Sequence, residues 1–203
     1  MIACGALAQG VAEVAARRSW PLDVHPLPPL LHNQPQRIAG EVEALAAGLV
    51  EHYDRVVIGY ADCGTYGALD DVCERMGLSR LAGLHCYDVY GGAERLARWF
   101  EEQPGTYVLT DFLVRSFART VLAELGLDTH PELRDAYFAH YTRAVWLAQH
   151  TDDDLRERAE AAAAALGLPL LTVEVGNAGL ERSLADVLGE PATDTRPERP
   201  AAA

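Results

Sequence analysis

Apolar residues along this chain follow two alternating rhythms. Short continuous runs rich in Val, Ile and Leu read as buried strands, and stretches with apolar positions three and four apart read as helices. Strands are expected at 2–6, 22–27, 55–60, 81–85, 107–110 and 170–175, and helices at 9–19, 35–52, 68–76, 93–102, 112–125, 131–140, 153–166 and 179–188. The helix opened by Pro35 is the clearest, with Ile38, Val42, Leu45 and Leu49 on one face. Pro26, Pro28 and Pro29 predict an extended segment over 27–32. The run 144–147 fits a strand or a helix equally well. Gly77 and Gly167 stand where C-caps belong, and Asp152 or Asp153 where an N-cap belongs.

Strand and helix alternate throughout, and no linker divides them. This predicts an α/β class: a single domain over 1–189, layered, with a mainly parallel sheet flanked by helices. Residues 190–203 lack apolar content and are expected to be a disordered tail.

Composition narrows the partners. The chain has 203 residues, enough for one sizeable core, and a net charge of −13. That charge argues against nucleic acid, which needs clustered cations. No run is long enough to span a membrane, and no basic-then-apolar segment opens the chain. A cytoplasmic location is expected. Four cysteines in a reducing compartment read as free thiols, catalytic groups or ligands, and none sits in a C-x-x-C pair.

Three of those cysteines, Cys4, Cys63 and Cys86, occur where an expected strand ends. In a parallel sheet such ends share one edge, the edge where α/β proteins bind ligands. Cys63 lies in Asp62-Cys63-Gly64-Thr65, just before a helix whose dipole is expected to lower a thiol pKa. Thiolates converging from three loops predict a metal site of Cys4, Cys63 and Cys86. Cys73, at an apolar helix position, reads as core.

The same edge should carry polar groups. Asp62, His85 and Asp111 are candidate acid/base residues. His32, Asn33, Gly64, Thr65 and Thr110 are candidate substrate contacts. Plainer readings stand beside these: His85 as a loop hydrogen-bonder, His32-Asn33-Gln34-Pro35 as a helix cap. His25, His52, His130, His140 and His150 read as surface or structural, and Tyr137 and Tyr141 as one packed helix face.

Five motifs occur in a set order: Cys4-Gly5-Ala6, Leu31-His32-Asn33-x-Pro35, Gly59-Tyr60-x-x-Cys63-Gly64, His85-Cys86, and Pro104-Gly105-Thr106-Tyr107-x-Leu109-Thr110. Together they resemble the family known as domain of unknown function 1638, over roughly residues 1–190. The resemblance implies an Asp-Cys pair where this chain has His85-Cys86. It also implies a neighbourhood of corrinoid proteins and their methyltransferases as partners. It brings no activity that carries over residue by residue.

Three functions follow. The first is a metal- or cluster-dependent enzyme on a small molecule, with a 4Fe–4S cluster or Zn held by the three cysteines, linked through the resemblance to corrinoid and one-carbon methyl transfer. The second is a cofactor-independent two-thiol enzyme of racemase or lyase type. The third is a non-enzymatic accessory that holds a metal or ligand for a partner. No G-x-G-x-x-G or P-loop motif supports nucleotide binding.

Overall fold

A computed structural model describes residues 1–190 of the chain; the rest of the expected tail, 191–203, lies outside the described residues. The α/β alternation is present, and every strand pairing is parallel. The strands divide between two sheets, one for each half of the chain.

The first sheet holds β1 (Ile2–Cys4), β2 (His25–Leu27), β3 (Val57–Gly59) and β4 (Ser79–Arg80) in the order β2-β1-β3-β4. Its connections are α1 (Ala8–Arg18), α2 (Ile38–Leu49) and α3 (Ala68–Met76). From β1 the sheet grows first to β2 and then, on the other side, to β3. The direction of growth therefore switches between β1 and β3, and crevices at such points receive ligands. Cys4 is the last residue of β1, and Cys63 follows β3.

Two short helices, α4 (Asp88–Gly91) and α5 (Ala93–Glu102), lead to the second sheet, β5 (Thr106–Thr110), β6 (Arg143–Ala148) and β7 (Leu170–Glu174), in the order β5-β6-β7. The ambiguous run at 144–147 is its central strand. Side chains alternate across this sheet. Val108, Val145 and Leu147 join the core beneath the first sheet. Leu109, Ala144, Trp146 and Ala148 face a second core with α6 (Asp111–Phe117) and α8 (Asp153–Leu166). Asp152 caps α8 through a side-chain bond to the Leu155 N–H at 2.9 Å.

The last helix, α9 (Ala178–Leu188), returns to the first half, where Leu180, Leu184 and Val187 complete the first core. Gly179 makes that crossing possible: a Cβ there would stand 2.4 Å from the Val89 carbonyl oxygen. Arg55, just before β3, donates to the carbonyls of Val187 and Leu188 at 2.7 and 2.6 Å and so caps the C-terminal end of α9. No helix of the described residues is long and apolar enough to cross a membrane.

Three local expectations are corrected. Residues 29–33 form a 3-10 turn, Pro29–Asn33, because Pro29 occupies its first position. β4 is Ser79–Arg80, and 81–87 is a loop: the Asp88 carboxylate accepts from the Leu84 and His85 N–H groups, both at 2.9 Å, and turns the chain away. The helix expected at 112–125 is α6 followed by a π turn, Ala118–Leu122, where the Ser116 and Thr120 hydroxyls bond back to the carbonyls of Phe112 and Ser116.

Candidate thiol site

The loops after β3 and β4 are stitched together beyond the strands. The Asp62 N–H donates to the Gly83 carbonyl at 3.1 Å and the Cys63 N–H to the Leu84 carbonyl at 2.7 Å. The Asp62 carboxylate accepts from Thr65 Oγ1 at 2.8 Å and from the N–H groups of Gly64, Gly67 and Tyr66 at 3.1, 3.2 and 3.3 Å. Burial opposes its ionisation, but the bonds from Thr65, Gly67, Tyr66 and Gly64 together outweigh burial and hold its pKa below the usual carboxylate range. This clamp keeps Cys63 at φ 51°, a left-handed conformation that a non-glycine residue adopts only under constraint.

The stitched loops set Cys63 against Cys86. The Cys86 thiol is the neighbour that most favours the ionised form of Cys63 and, aided by the Cys86 backbone N–H, lowers its pKa against the opposing effect of burial. The same pairing, with burial, raises the Cys86 pKa. Of the two, Cys63 is the thiol that ionises more readily and Cys86 the one that keeps its proton longer. The expected helix-dipole effect gives way here, because α3 begins only at Ala68 and the neighbouring thiol supplies the stabilisation.

Cys4 approaches the pair but differs in kind. It is 2% exposed, and burial pushes its thiol up to about 11. Its charge would be felt by both other sulfurs. Behind it, the fully buried Tyr60 hydroxyl makes no hydrogen bond of good geometry, and the Cys4 thiol is its strongest electrostatic neighbour. Gly5 anchors the Cys4 turn: a Cβ there would meet the Leu27 carbonyl oxygen at 2.6 Å and Pro29 Cδ at 2.8 Å.

Cys63 and Cys86 line a cavity of about 460 Å³ between the first sheet's loops and β5, while Cys4 lines no part of it. The volume suits a small molecule. The walls are largely aromatic: Tyr87, Phe100, Tyr107, Phe112 and Tyr141. His85 stacks on Tyr87 at 4.7 Å and lies 3.8 Å from the Asp88 carboxylate. The His32 Nδ1–H donates to the Pro29 carbonyl, which leaves Nε2 as its acceptor nitrogen.

Of the predicted residues, His32, Cys63, His85, Cys86 and Thr110 therefore share one cavity. Others do not. Asp62, Gly64 and Thr65 spend their polar groups inside the Cys63 turn. Asn33 is exposed and reaches Glu124. Thr110 is also the N-cap of α6. Cys73 is buried in α3, as a core residue would be.

Asp111 belongs elsewhere. It lines a second, polar cavity of about 310 Å³ that meets the first at Ala6 and Phe112. Its carboxylate is buried and accepts from Trp146 Nε1 (3.0 Å), the N–H groups of Gln149 and His150 (3.0 and 2.9 Å), and His150 Nδ1 (2.9 Å). His150 Nε2 lies 3.4 Å from Glu13. His150, expected to be surface or structural, thus bonds the buried Asp111 carboxylate, and Tyr141, expected to pack a helix face, is a cavity wall.

No three His, Cys, Asp or Glu side chains among the described residues are grouped as an ion would require. Of the three cysteines expected to hold a metal, Cys63 and Cys86 line the cavity, whereas Cys4, whose thiol burial pushes up to about 11, does not.

No curated protein and no solved structure matches this chain. The family model described as Protein of unknown function (DUF1638) matches residues 26–184, a span that includes Cys63, Cys86, Asp111 and His150. With most of its length under that match, the chain belongs to this family.

Proposed function

We propose that this chain is a cofactor-independent thiol enzyme of transferase or lyase type, with Cys63 as nucleophile and Cys86 as its acid. The observation that carries the reading is that loops joined by the Cys63–Leu84 bond bring Cys63 and Cys86 to the wall of one aromatic cavity, with Cys63 the thiol whose ionisation its neighbour favours. In the reaction the Cys63 sulfur forms a bond to an electrophilic atom of a small apolar substrate. The bond to the leaving group breaks with its electron pair, and the Cys86 S–H supplies that group's proton. Passing the bound group to an acceptor returns Cys63 to thiolate, and solvent returns the proton to Cys86. The one-carbon context implied by the family resemblance suits a methyl group as the cargo and a corrinoid protein or methyltransferase as partner. A racemase needs its two thiols on opposite faces of one carbon, whereas these two thiols interact directly with each other.

The convergence of Cys4 on the same two sulfurs favours a second reading, a three-thiolate zinc or 4Fe–4S site, in an enzyme or in a metal-holding accessory protein. It requires Cys4 to ionise against its burial.

One pair of measurements separates them. Protein purified anaerobically is analysed for metal, and then treated with phenacyl chloride and iodoacetamide under peptide mass spectrometry. The two-thiol reading expects metal-free protein in which Cys63 reacts first and prefers the aromatic electrophile more than glutathione does. Stoichiometric zinc or iron, lost on Cys4→Ala, establishes the metal site instead. A Cys63 no faster than a free thiol removes the two-thiol reading.

A further inference from the structure

The polar cavity beside the thiol chamber is lined by two cations that pair with no acidic group among the described residues. Arg115 on α6 and Arg119 on the π turn lie four residues apart, and both line it. Neither guanidinium has an ion-pair or hydrogen-bond partner among the described residues. Ten other arginines do bond or ion-pair with acceptor groups, including Arg17, Arg18, Arg37, Arg80 and Arg158. In a chain of net charge −13, two unpaired arginines at one cavity are out of the ordinary.

The acidic groups there are already occupied. Asp111 accepts four hydrogen bonds, from Trp146, Gln149 and His150. Glu13 accepts from Gln9 Nε2 at 2.9 Å and Asn177 Nδ2 at 3.2 Å and lies beside His150. The first turn of α1, which has no side-chain cap, opens on the same cavity through Gly5, Ala6, Gln9 and Gly10, and adds the positive end of a helix dipole. Arg119 also stands on a π turn, a widening of the helix that recurs at functional sites.

We infer that this cavity is an oxyanion subsite, in which Arg115 and Arg119 hold the carboxylate or phosphate group of a ligand whose apolar body occupies the thiol chamber. The anion subsite stands on its own geometry. Its link to chemistry rests on the two-thiol reading above. Ala6 and Phe112 line both chambers, which places the two side by side within the reach of one small molecule. The substrate class is an aryl or alkyl carboxylate or phosphate ester with a thiol-reactive centre remote from the anion.

Four probes test this by calorimetry on the full chain: benzoate, phenyl phosphate, inorganic phosphate and uncharged benzamide. One or more of the three anions is expected to bind, weakening with salt, and R115Q/R119Q is expected to cost about tenfold or more. A preference for benzoate marks a carboxylate ligand, and a preference for the phosphates marks a phosphate ligand. Both arginines are exposed, so the double variant should melt with wild type. Cys63→Ser should still bind the anions while losing the fast alkylation assigned to Cys63, which separates this subsite from the catalytic reading. Anions that bind the double variant as tightly as wild type, or that bind neither, overturn the inference.

Discussion

The Cys63 N–H donates to the Leu84 carbonyl at 2.7 Å, and this bond between two loops places the Cys63 sulfur against Cys86, two residues further on. The reactive pair is thus an extension of strand pairing past the end of the sheet. Its properties follow from that register.

Cys63 should titrate below an ordinary thiol, whose pKa is about 8.5. Its iodoacetamide alkylation rate, followed against pH by peptide mass spectrometry, should reach half its plateau below that value. Cys86→Ala removes the donor and should move the midpoint upward. An unchanged midpoint in the variant would assign the shift to another group.

Cys4 should stay unmodified in the folded chain, because its thiol is pushed up to about 11. A folded pKa above the unfolded one contributes stability that is complete below the unfolded thiol pKa, about 8.5, and is lost as pH rises through the folded value. Urea midpoints should therefore fall more steeply between pH 8 and 11 in wild type than in Cys4→Ala. Equal slopes would contradict the burial argument.

Asp62→Ala should destabilise the chain by about 1–2 kcal/mol, as the loss of a well-bonded cap does. Asp62 has a lowered folded pKa, so its stabilisation is present above about pH 4 and lost as pH falls through the folded value. The acid unfolding midpoint and the Cys63 alkylation rate are the readouts. Release of the clamp should lower both stability and thiol reactivity.

Tyr60→Phe should cost less than about 0.5 kcal/mol or stabilise the fold, since it removes a buried hydroxyl without a well-formed hydrogen bond and keeps the ring. A loss above about 1 kcal/mol in chemical denaturation would mean that the hydroxyl bonds the Cys4 thiol strongly.

Gly5→Ala should cost about 1–3 kcal/mol, the usual penalty for forcing a methyl into filled space, because its Cβ would meet backbone at 2.6 Å. Thermal melts give the loss directly. A neutral result would show that the Pro29 turn yields.

Much of this was legible from residue order. Helices with caps at both ends, such as α8, fell where Asp152 and Gly167 put them. Cys63 and Cys86 share the expected edge, but Cys86 reaches it on the loop after β4 and not at a strand end. What stayed hidden depended on pairing between distant segments. Asp111 and His150 meet because Thr110 pairs with Leu147, a β5–β6 register that no local pattern encodes. The aromatic walls come from the loop before α4, from α5, β5 and α6, and from the segment before β6, each of which reads alone as ordinary core. β4 was misplaced because Leu81-Ala82-Gly83-Leu84 has a strand's apolar content, whereas the Asp88 carboxylate decides the path of the chain there.

The return of α9 has a consequence for how the molecule is made. A growing chain folds its N-terminal part first when that part can close its own core. Here it cannot. Leu180, Leu184 and Val187 finish the core beneath β1 and β3, and Arg55 waits for the carbonyls of Val187 and Leu188. Cys4, Cys63 and Cys86 are all synthesised long before that helix exists. The core under the sheet that carries the thiol pair is therefore completed only when α9 docks, after almost all of residues 1–188 has been made.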